Sequence, residues 1–150
     1  MYDVAVIGCG IVGAAAAYEL SRYNCRVLVL EAKNDVANVT TKANSAILHA
    51  GYDPTPGTLM AETNVRGVAL AKELCEKLDV EREEIGSLVL AFGEEDERHL
   101  EKLYQQGLAN GVPGIELLTA DEVHALEPNV SDKVTAALYA PTLSLIHISE

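Results

Sequence analysis

The run Gly8-Cys9-Gly10-Ile11-Val12-Gly13 constrains this chain more than any other feature, because it separates a short apolar segment from a helix-forming one. Before it, Val4-Ala5-Val6-Ile7 has the unbroken apolar character of a parallel strand buried on both faces. From Ala14 to Tyr23 strong helix formers dominate, and Asn24 follows, a residue that tolerates the left-handed conformation just past a helix end. Val27-Leu28-Val29-Leu30 then reads as a second buried strand, closed by Glu31. The order is β-α-β, in about the length that a parallel crossover requires.

Each glycine in the loop has a mechanical task. Gly8 permits the tight turn off the strand, Gly10 lets the backbone come close to a pyrophosphate, and Gly13 lets the helix pack against the strand. Amides of the first helical turn, around Ile11 and Val12, point at the phosphates with the helix dipole behind them. Glu31 stands where a carboxylate accepts hydrogen bonds from ribose hydroxyls and repels a 2′-phosphate, which disfavours NADP. Three glycines alone are weak evidence, and an acidic residue at a strand end is often merely solvated. The preceding strand, the following helix and the acidic partner together favour a dinucleotide site over a structural turn. This unit does not separate FAD from NAD, since both carry the same ADP half.

Charge and composition narrow the partners. Lys and Arg number 11 against 23 Asp and Glu, for a net charge of -12, so no positive stripe tracks a nucleic acid. No apolar run reaches the roughly 18 residues that cross a membrane. The first residues enter a strand without a basic start, which argues against a signal peptide. Cys9, Cys25 and Cys75 form no CxxC pair and suit a reduced, cytoplasmic protein; surface attachment to a membrane stays open. With 49% apolar residues, a chain of this length can bury one domain-sized core.

Beyond the β-α-β unit the pattern is less regular. Residues 32–57 read as a connection too long for an ordinary loop, and such loops usually carry function or are disordered. A helix is expected over 58–78, with Gly67, Leu70, Ala71, Leu74, Cys75 and Leu78 on its buried face. Ser87–Ala91 reads as a strand. Glu94–Asn110 reads as a helix with Leu100, Leu103, Tyr104 and Leu108 inward, an acidic first turn and Gly111 past its end. A short strand is expected at Ile115–Leu118, then a capping box from Thr119 and Glu122 opening a helix that stops before Pro128. A last strand is expected at Ala136–Tyr139. The fold class is therefore α/β, a Rossmann-like β-α-β unit leading into the start of an α+β domain.

The long connection adds what the glycine loop leaves open. Thr40-Thr41-Lys42-Ala43-Asn44-Ser45-Ala46-Ile47-Leu48-His49-Ala50-Gly51-Tyr52-Asp53, followed by Pro56-Gly57-Thr58-Leu59, resembles a stretch of one flavoprotein superfamily. That group includes FAD-dependent glycerol-3-phosphate dehydrogenases and oxidases, L-2-hydroxyglutarate dehydrogenases and D-amino-acid oxidases. The similarity extends from Met1 to about Thr142, through Gly86-Ser87-Leu88-Val89 and Ala140-Pro141. It implies FAD as cofactor, residues 1–78 as the N-terminal part of an FAD-binding domain, and residues 79–142 as the start of a substrate domain.

The resemblance also implies roles for particular residues. Thr41, Asn44 and Ser45 would line the FAD site near the flavin; read without it, Asn44 and Ser45 are caps of a helical turn. His49 matches a histidine that lies beside the flavin in similar enzymes. An imidazole with an unperturbed pKa of about 6.5 is suited to take the hydroxyl proton as hydride leaves a secondary alcohol. A histidine that only bonds the flavin or a backbone carbonyl fits the residues equally well. The reaction implied is oxidation of a small anionic 2-hydroxy compound, glycerol 3-phosphate first and L-2-hydroxyglutarate second, with the electron acceptor unassigned. An NAD-dependent dehydrogenase and a nucleotide-binding module without chemistry share the first thirty residues and stand as alternatives.

Other residues are expected to be bland. His99 and His124 read as surface residues, Lys42 and Arg66 as solvated charges, and Cys9 as inert packing within the loop. No Cys/His/carboxylate cluster has metal-ligand spacing, so no metal is expected. From Leu143 to Glu150 the chain departs from the family pattern and resembles translated sequencing-adapter sequence. Those residues are expected to be a non-native tail on a truncated reading frame, and His147 carries no functional weight.

Overall fold

A computed structural model describes residues 1–146, which form two compact units divided between Ser45 and Ala46. Of the tail expected at 143–150, residues 147–150, His147 among them, lie outside the described residues.

The first unit is the β-α-β crossover. Strand β1 (Val4–Ile7), helix α1 (Ile11–Leu20) and strand β2 (Val27–Leu30) follow one another, and the strands pair in parallel from Val4 opposite Val27 to Ile7 opposite Leu30. Arg26 ties the two strand starts together. Its backbone amide and Nε both donate to Asp3 Oδ2, at 2.8 and 3.1 Å, and its Nη2 donates to Asp3 Oδ1 at 3.2 Å. These bonds hold the Asp3 carboxyl below its ordinary pKa.

Two details of this unit differ from the sequence reading. Helix α1 starts and ends three residues early, because Gly13 lies inside its first turn and Ser21 ends it. The Ser21 hydroxyl donates to the Tyr18 carbonyl at 2.6 Å, and the amides of Arg22 and Tyr23 bond three residues back, to Glu19 and Leu20. The end is thus a tightened turn in the right-handed region, and Asn24 does not adopt the left-handed conformation. The strands are also not buried on both faces: Ile7 is 87% exposed and Leu30 is 49% exposed. One helix covers one face of a two-stranded sheet, and no residue of Met1–Ser45 is fully buried.

The second unit carries the core. Strand β3 (Ile47–Leu48) precedes helix α2 (Leu59–Leu78), which is followed by β4 (Arg82–Glu84), β5 (Ser87–Ala91), helix α3 (Glu94–Asn110), β6 (Glu116–Thr119), helix α4 (Ala120–Leu126), β7 (Ala136–Ala140) and β8 (Ser144–Ile146). They form two antiparallel three-stranded sheets, ordered β3-β8-β4 and β5-β7-β6. Ala50, Ala91, Leu100, Leu103, Val112, Ile115, Leu138, Ala140 and Leu143 make one buried cluster beneath α3; Val123, Val134 and Ala137 make a second beneath α4.

Local chemistry accounts for the helix ends. Thr58 caps α2 by accepting the Ala61 amide, and Gly111 ends α3 at a φ of 77°. Thr119 and Glu122 form the expected capping box at α4. The buried face of α2 overlaps the expected one only in part. Ala61 and Cys75 are buried and Ala71 and Leu74 half-buried, while Gly67, Leu70 and Leu78 are exposed. On α3, Gly107 rather than Leu108 faces inward, because a side chain at 107 would strike Ile115.

Strands β3, β4 and β8 were not legible as strands. The central one, β8, pairs through its backbone, which is indifferent to side-chain identity, yet Ser144 within it is fully buried. Arg82 Nη1 donates to the Ser144 hydroxyl at 2.8 Å and pairs with Glu84 at 2.7 Å, so the buried hydroxyl and the guanidinium satisfy each other. No helix among the described residues is long and apolar enough to cross a membrane.

Candidate functional site

The glycine loop turns sharply out of β1. Gly8 has a φ of +96°, a conformation that L side chains rarely adopt, and its amide donates to the Leu30 carbonyl at 2.7 Å. A Cβ on Gly13 would lie 2.0 Å from the Gly8 carbonyl oxygen, so any side chain there would push α1 off the strand. The loop and the helix start can coexist only with glycine at 13.

Glu31 braces this turn from the end of β2. One carboxylate oxygen accepts the Cys9 amide at 2.7 Å and the other accepts the Lys33 amide at 2.8 Å. These two amides, Cys9 first, hold the Glu31 carboxyl below its ordinary pKa, so it stays ionised near neutral pH. Each oxygen keeps a second lone pair, which is what a ribose hydroxyl needs as an acceptor. The Cys9 carbonyl in turn accepts the Ala37 amide at 3.0 Å, so residue 9 is held by its backbone on both sides.

Helix α1 begins with open donors. Gly10 provides no side-chain cap, and no acidic residue stands in the first turn. The Ile11 amide donates to the Thr41 hydroxyl at 3.0 Å, across thirty residues of sequence. The amides of Val12 and Gly13 have no acceptor within the helix, as the geometry of any helix start dictates. Uncapped amides backed by the helix dipole, with no carboxylate competing, suit the pyrophosphate of a dinucleotide. The residues therefore fit such a cofactor. A Cβ on Gly10 would sit 2.9 Å from the Thr41 hydroxyl, so glycine at 10 makes room for Thr41 as well.

Thr41 lies at the helix start itself. The Asn44 side chain donates to the Thr41 carbonyl, closing the turn that presents the Thr41 hydroxyl, while Ser45 is exposed. Gly8, Gly10, Ile11, Val12, Gly13, Glu31, Thr41 and Asn44 are thus brought together within the first unit. Two residues at this site were missed. Ala37 reaches Cys9 from a positive φ of 57°, for which an alanine gives no sequence signal, and Lys33 contributes only its backbone.

His49 belongs to the second unit. It is exposed, directly after β3, and is followed by the fully buried Ala50 and Gly51. Gly51 has a φ of +100°, and a Cβ there would meet Val65 Cγ2 at 2.8 Å and Asn64 Oδ1 at 3.0 Å. The His49 loop is thereby seated against α2. His99 is exposed and His124 half-buried in α4. All three cysteines are free. Among the described residues no group of three or more His, Cys, Asp or Glu is placed to hold a metal.

A parallel β-α-β unit with an uncapped glycine loop, joined to an α+β unit, defines a class of nucleotide-dependent proteins, and sequence similarity names the family. Residues 3–148 match the family described as DAO, FAD dependent oxidoreductase, and the chain belongs to it. It is 51% identical over 146 residues to a glycerol 3-phosphate dehydrogenase of Caloramator mitchellensis, covering 97% of this chain and 30% of that one. To the mitochondrial L-2-hydroxyglutarate dehydrogenase of Dictyostelium discoideum it is 34% identical, over 100% of this chain and 34% of the other. Among solved structures it matches the dithionite-reduced, FAD-bound L-α-glycerophosphate oxidase of Mycoplasma pneumoniae with a TM-score of 0.87 at 35% identity, over 97% of this chain and 38% of that one. The chain spans 30–38% of the length of these three relatives.

Proposed function

We propose that this chain is the N-terminal part of an FAD-dependent oxidoreductase that oxidises glycerol 3-phosphate to dihydroxyacetone phosphate. The observation that carries the reading is the 51% identity to a glycerol 3-phosphate dehydrogenase over 97% of the chain. The weaker similarity to L-2-hydroxyglutarate dehydrogenase makes that hydroxy acid the second substrate to test. Both are small anionic 2-hydroxy compounds.

In this reading residues 1–78 belong to the FAD-binding domain of the longer protein and residues 79–142 begin its substrate domain. The first-turn amides, Val12 and Gly13 among them, would hold the pyrophosphate, Glu31 would hold the ribose, and Thr41, Asn44 and Ser45 would line the same cofactor. When bound, FAD supplies the acceptor for the hydride. His49 takes the proton from the substrate hydroxyl, so that loss of O–H and C–H leaves a carbonyl. The three unpaired cysteines favour a cytoplasmic location, with peripheral attachment to a membrane compatible with it.

The test is the visible spectrum of the purified full-length protein before and after anaerobic addition of glycerol 3-phosphate. Flavin bands that bleach support the reading. Bands that bleach only with L-2-hydroxyglutarate move the substrate, and a protein without flavin bands sinks the proposal. In the same assay His49→Ala is expected to keep its flavin and bleach far more slowly, by about a hundredfold or more. Bleaching at the unmodified rate rejects His49 as the base.

A further inference from the structure

Four consecutive carbonyls follow the His49-Ala50 pair, and two side chains of one helix hold all of them. Asn110 Nδ2 donates to the Gly51 carbonyl at 3.0 Å and to the Pro54 carbonyl at 2.8 Å. One turn earlier on α3, Gln106 Nε2 donates to the Tyr52 carbonyl at 3.4 Å and to the Asp53 carbonyl at 3.1 Å. The four hydrogens of two carboxamides thus meet the carbonyls of residues 51–54. Since every partner is an acceptor, each amide can only present its nitrogen.

From this clamp we infer that Asn110 and Gln106 are positioning residues for His49. The loop is gripped on two sides: α3 holds its carbonyls, and α2 is packed against Gly51 at Asn64 and Val65. The turn at Gly51 runs at positive φ, and Ala50, Gly51 and Pro54 are buried. With that stretch fixed, the exposed His49 leaves a rigid base instead of a mobile connection. A base must lie within hydrogen-bond reach of its proton, and a displacement of about 1 Å costs up to about a hundredfold in rate. A carboxamide at the C-terminal end of a surface helix is otherwise unremarkable in sequence, and satisfying a loop's carbonyls is compatible with a purely structural role. The two roles differ in what they do to the reaction per bound flavin.

This inference rests on His49 acting as proposed above, and the experiment keeps the two apart. In the full-length protein, the rate of anaerobic flavin bleaching is measured against substrate concentration, using glycerol 3-phosphate or, if that is inert, L-2-hydroxyglutarate. Asn110→Leu removes both donors at similar volume, and Asn110→Asp removes them at nearly identical shape. Both are expected to lower the limiting rate per bound flavin by about tenfold to a hundredfold, with the half-saturating concentration changed by less than about threefold. A limiting rate per flavin equal to that of the unmodified protein in either variant overturns the clamp, as does a change confined to half-saturation. Should Asn110→Leu fail to fold, Gln106→Leu breaks the longer pair of bonds and is judged by the same rate, with a smaller loss expected. The His49 reading fails separately, if His49→Ala bleaches at the unmodified rate.

Discussion

The two units of this chain divide information and packing unequally. Met1–Ser45 holds the glycine loop, Glu31 and Thr41, yet contains no fully buried residue. The unit beginning at Ala46 has nine residues in its main buried cluster, Leu138 and Ala140 among them with no exposure at all. Val4–Ile7 and Val27–Leu30 have the composition of strands covered on both faces, but a single helix covers a single face. The apolar side chains of the second face stand in solvent, as the paired Ile7 at 87% and Leu30 at 49% exposure show. A site can therefore be fully specified in its local geometry while its unit lacks the burial that stabilises a fold. What the first unit has in place of a core is backbone fit: a turn that needs Gly8, a contact that needs Gly13, and a carboxylate on the loop amide.

If backbone fit rules the first unit and core burial the second, substitutions should separate them. The largest effect is expected at Gly13. Gly13→Ala puts a Cβ 2.0 Å from the Gly8 carbonyl oxygen, and the full-length protein should then purify without flavin absorbance. Amide exchange in Ala46–Ile146 should stay close to that of the unmodified protein; loss of protection there would show that the units are not separable. Next comes burial itself. In the 150-residue chain Leu138→Ala should cost about 2–5 kcal/mol by urea unfolding, the usual range for emptying a packed leucine site. Ile7→Ala should cost less than about 0.5 kcal/mol there, because its side chain is already in water. In the full-length protein the same Ile7→Ala should rise to core-like values if further chain covers that face. Equal small costs in both settings would break the contrast. Smaller again is Thr119→Ala, which removes one side of the α4 capping box and should cost about 1 kcal/mol.

How much of this was legible follows from where each signal resides. The parallel pairing of β1 and β2 was readable because apolar runs, glycines and an acidic residue all lie within thirty residues. Helix α3 and the capping box at α4 were readable for the same local reason. The buried face of α2 was legible only in part, since Gly67, Leu70 and Leu78 satisfy helical periodicity as well as Ala71, Leu74 and Cys75 do, and only the partner elements choose between them. Strands β3 and β4 are two and three residues long, too short to show alternation, and β8 pairs through its backbone with both. At the site, the glycine loop and Glu31 stood out, but the bond from Ile11 to Thr41 joins residues thirty apart. Asn110 and Gln106 reach loop carbonyls more than fifty residues away, and no local pattern carries such a contact.

The finest probe of the first unit is pH, because Glu31 is its one brace that titrates on the glycine loop. The Cys9 and Lys33 amides lower the folded-state pKa of Glu31 relative to its unfolded value. A carboxyl shifted in that direction contributes stability that is complete above the unfolded pKa and is lost as pH falls through the folded one. The loop should therefore be indifferent to pH near neutrality and loosen only below about pH 4.5, where unfolded glutamates begin to protonate. Amide exchange at Cys9, corrected for the intrinsic effect of pH, should accelerate in that window while the Leu100 and Leu138 amides in the second unit stay protected. Glu31→Gln keeps a carbonyl acceptor for one amide but has no charge to lose, so it should exchange faster at neutral pH and show no acid transition. A transition that persists in Glu31→Gln would assign the acid sensitivity to another carboxylate, with Asp3 at the strand start the next to examine.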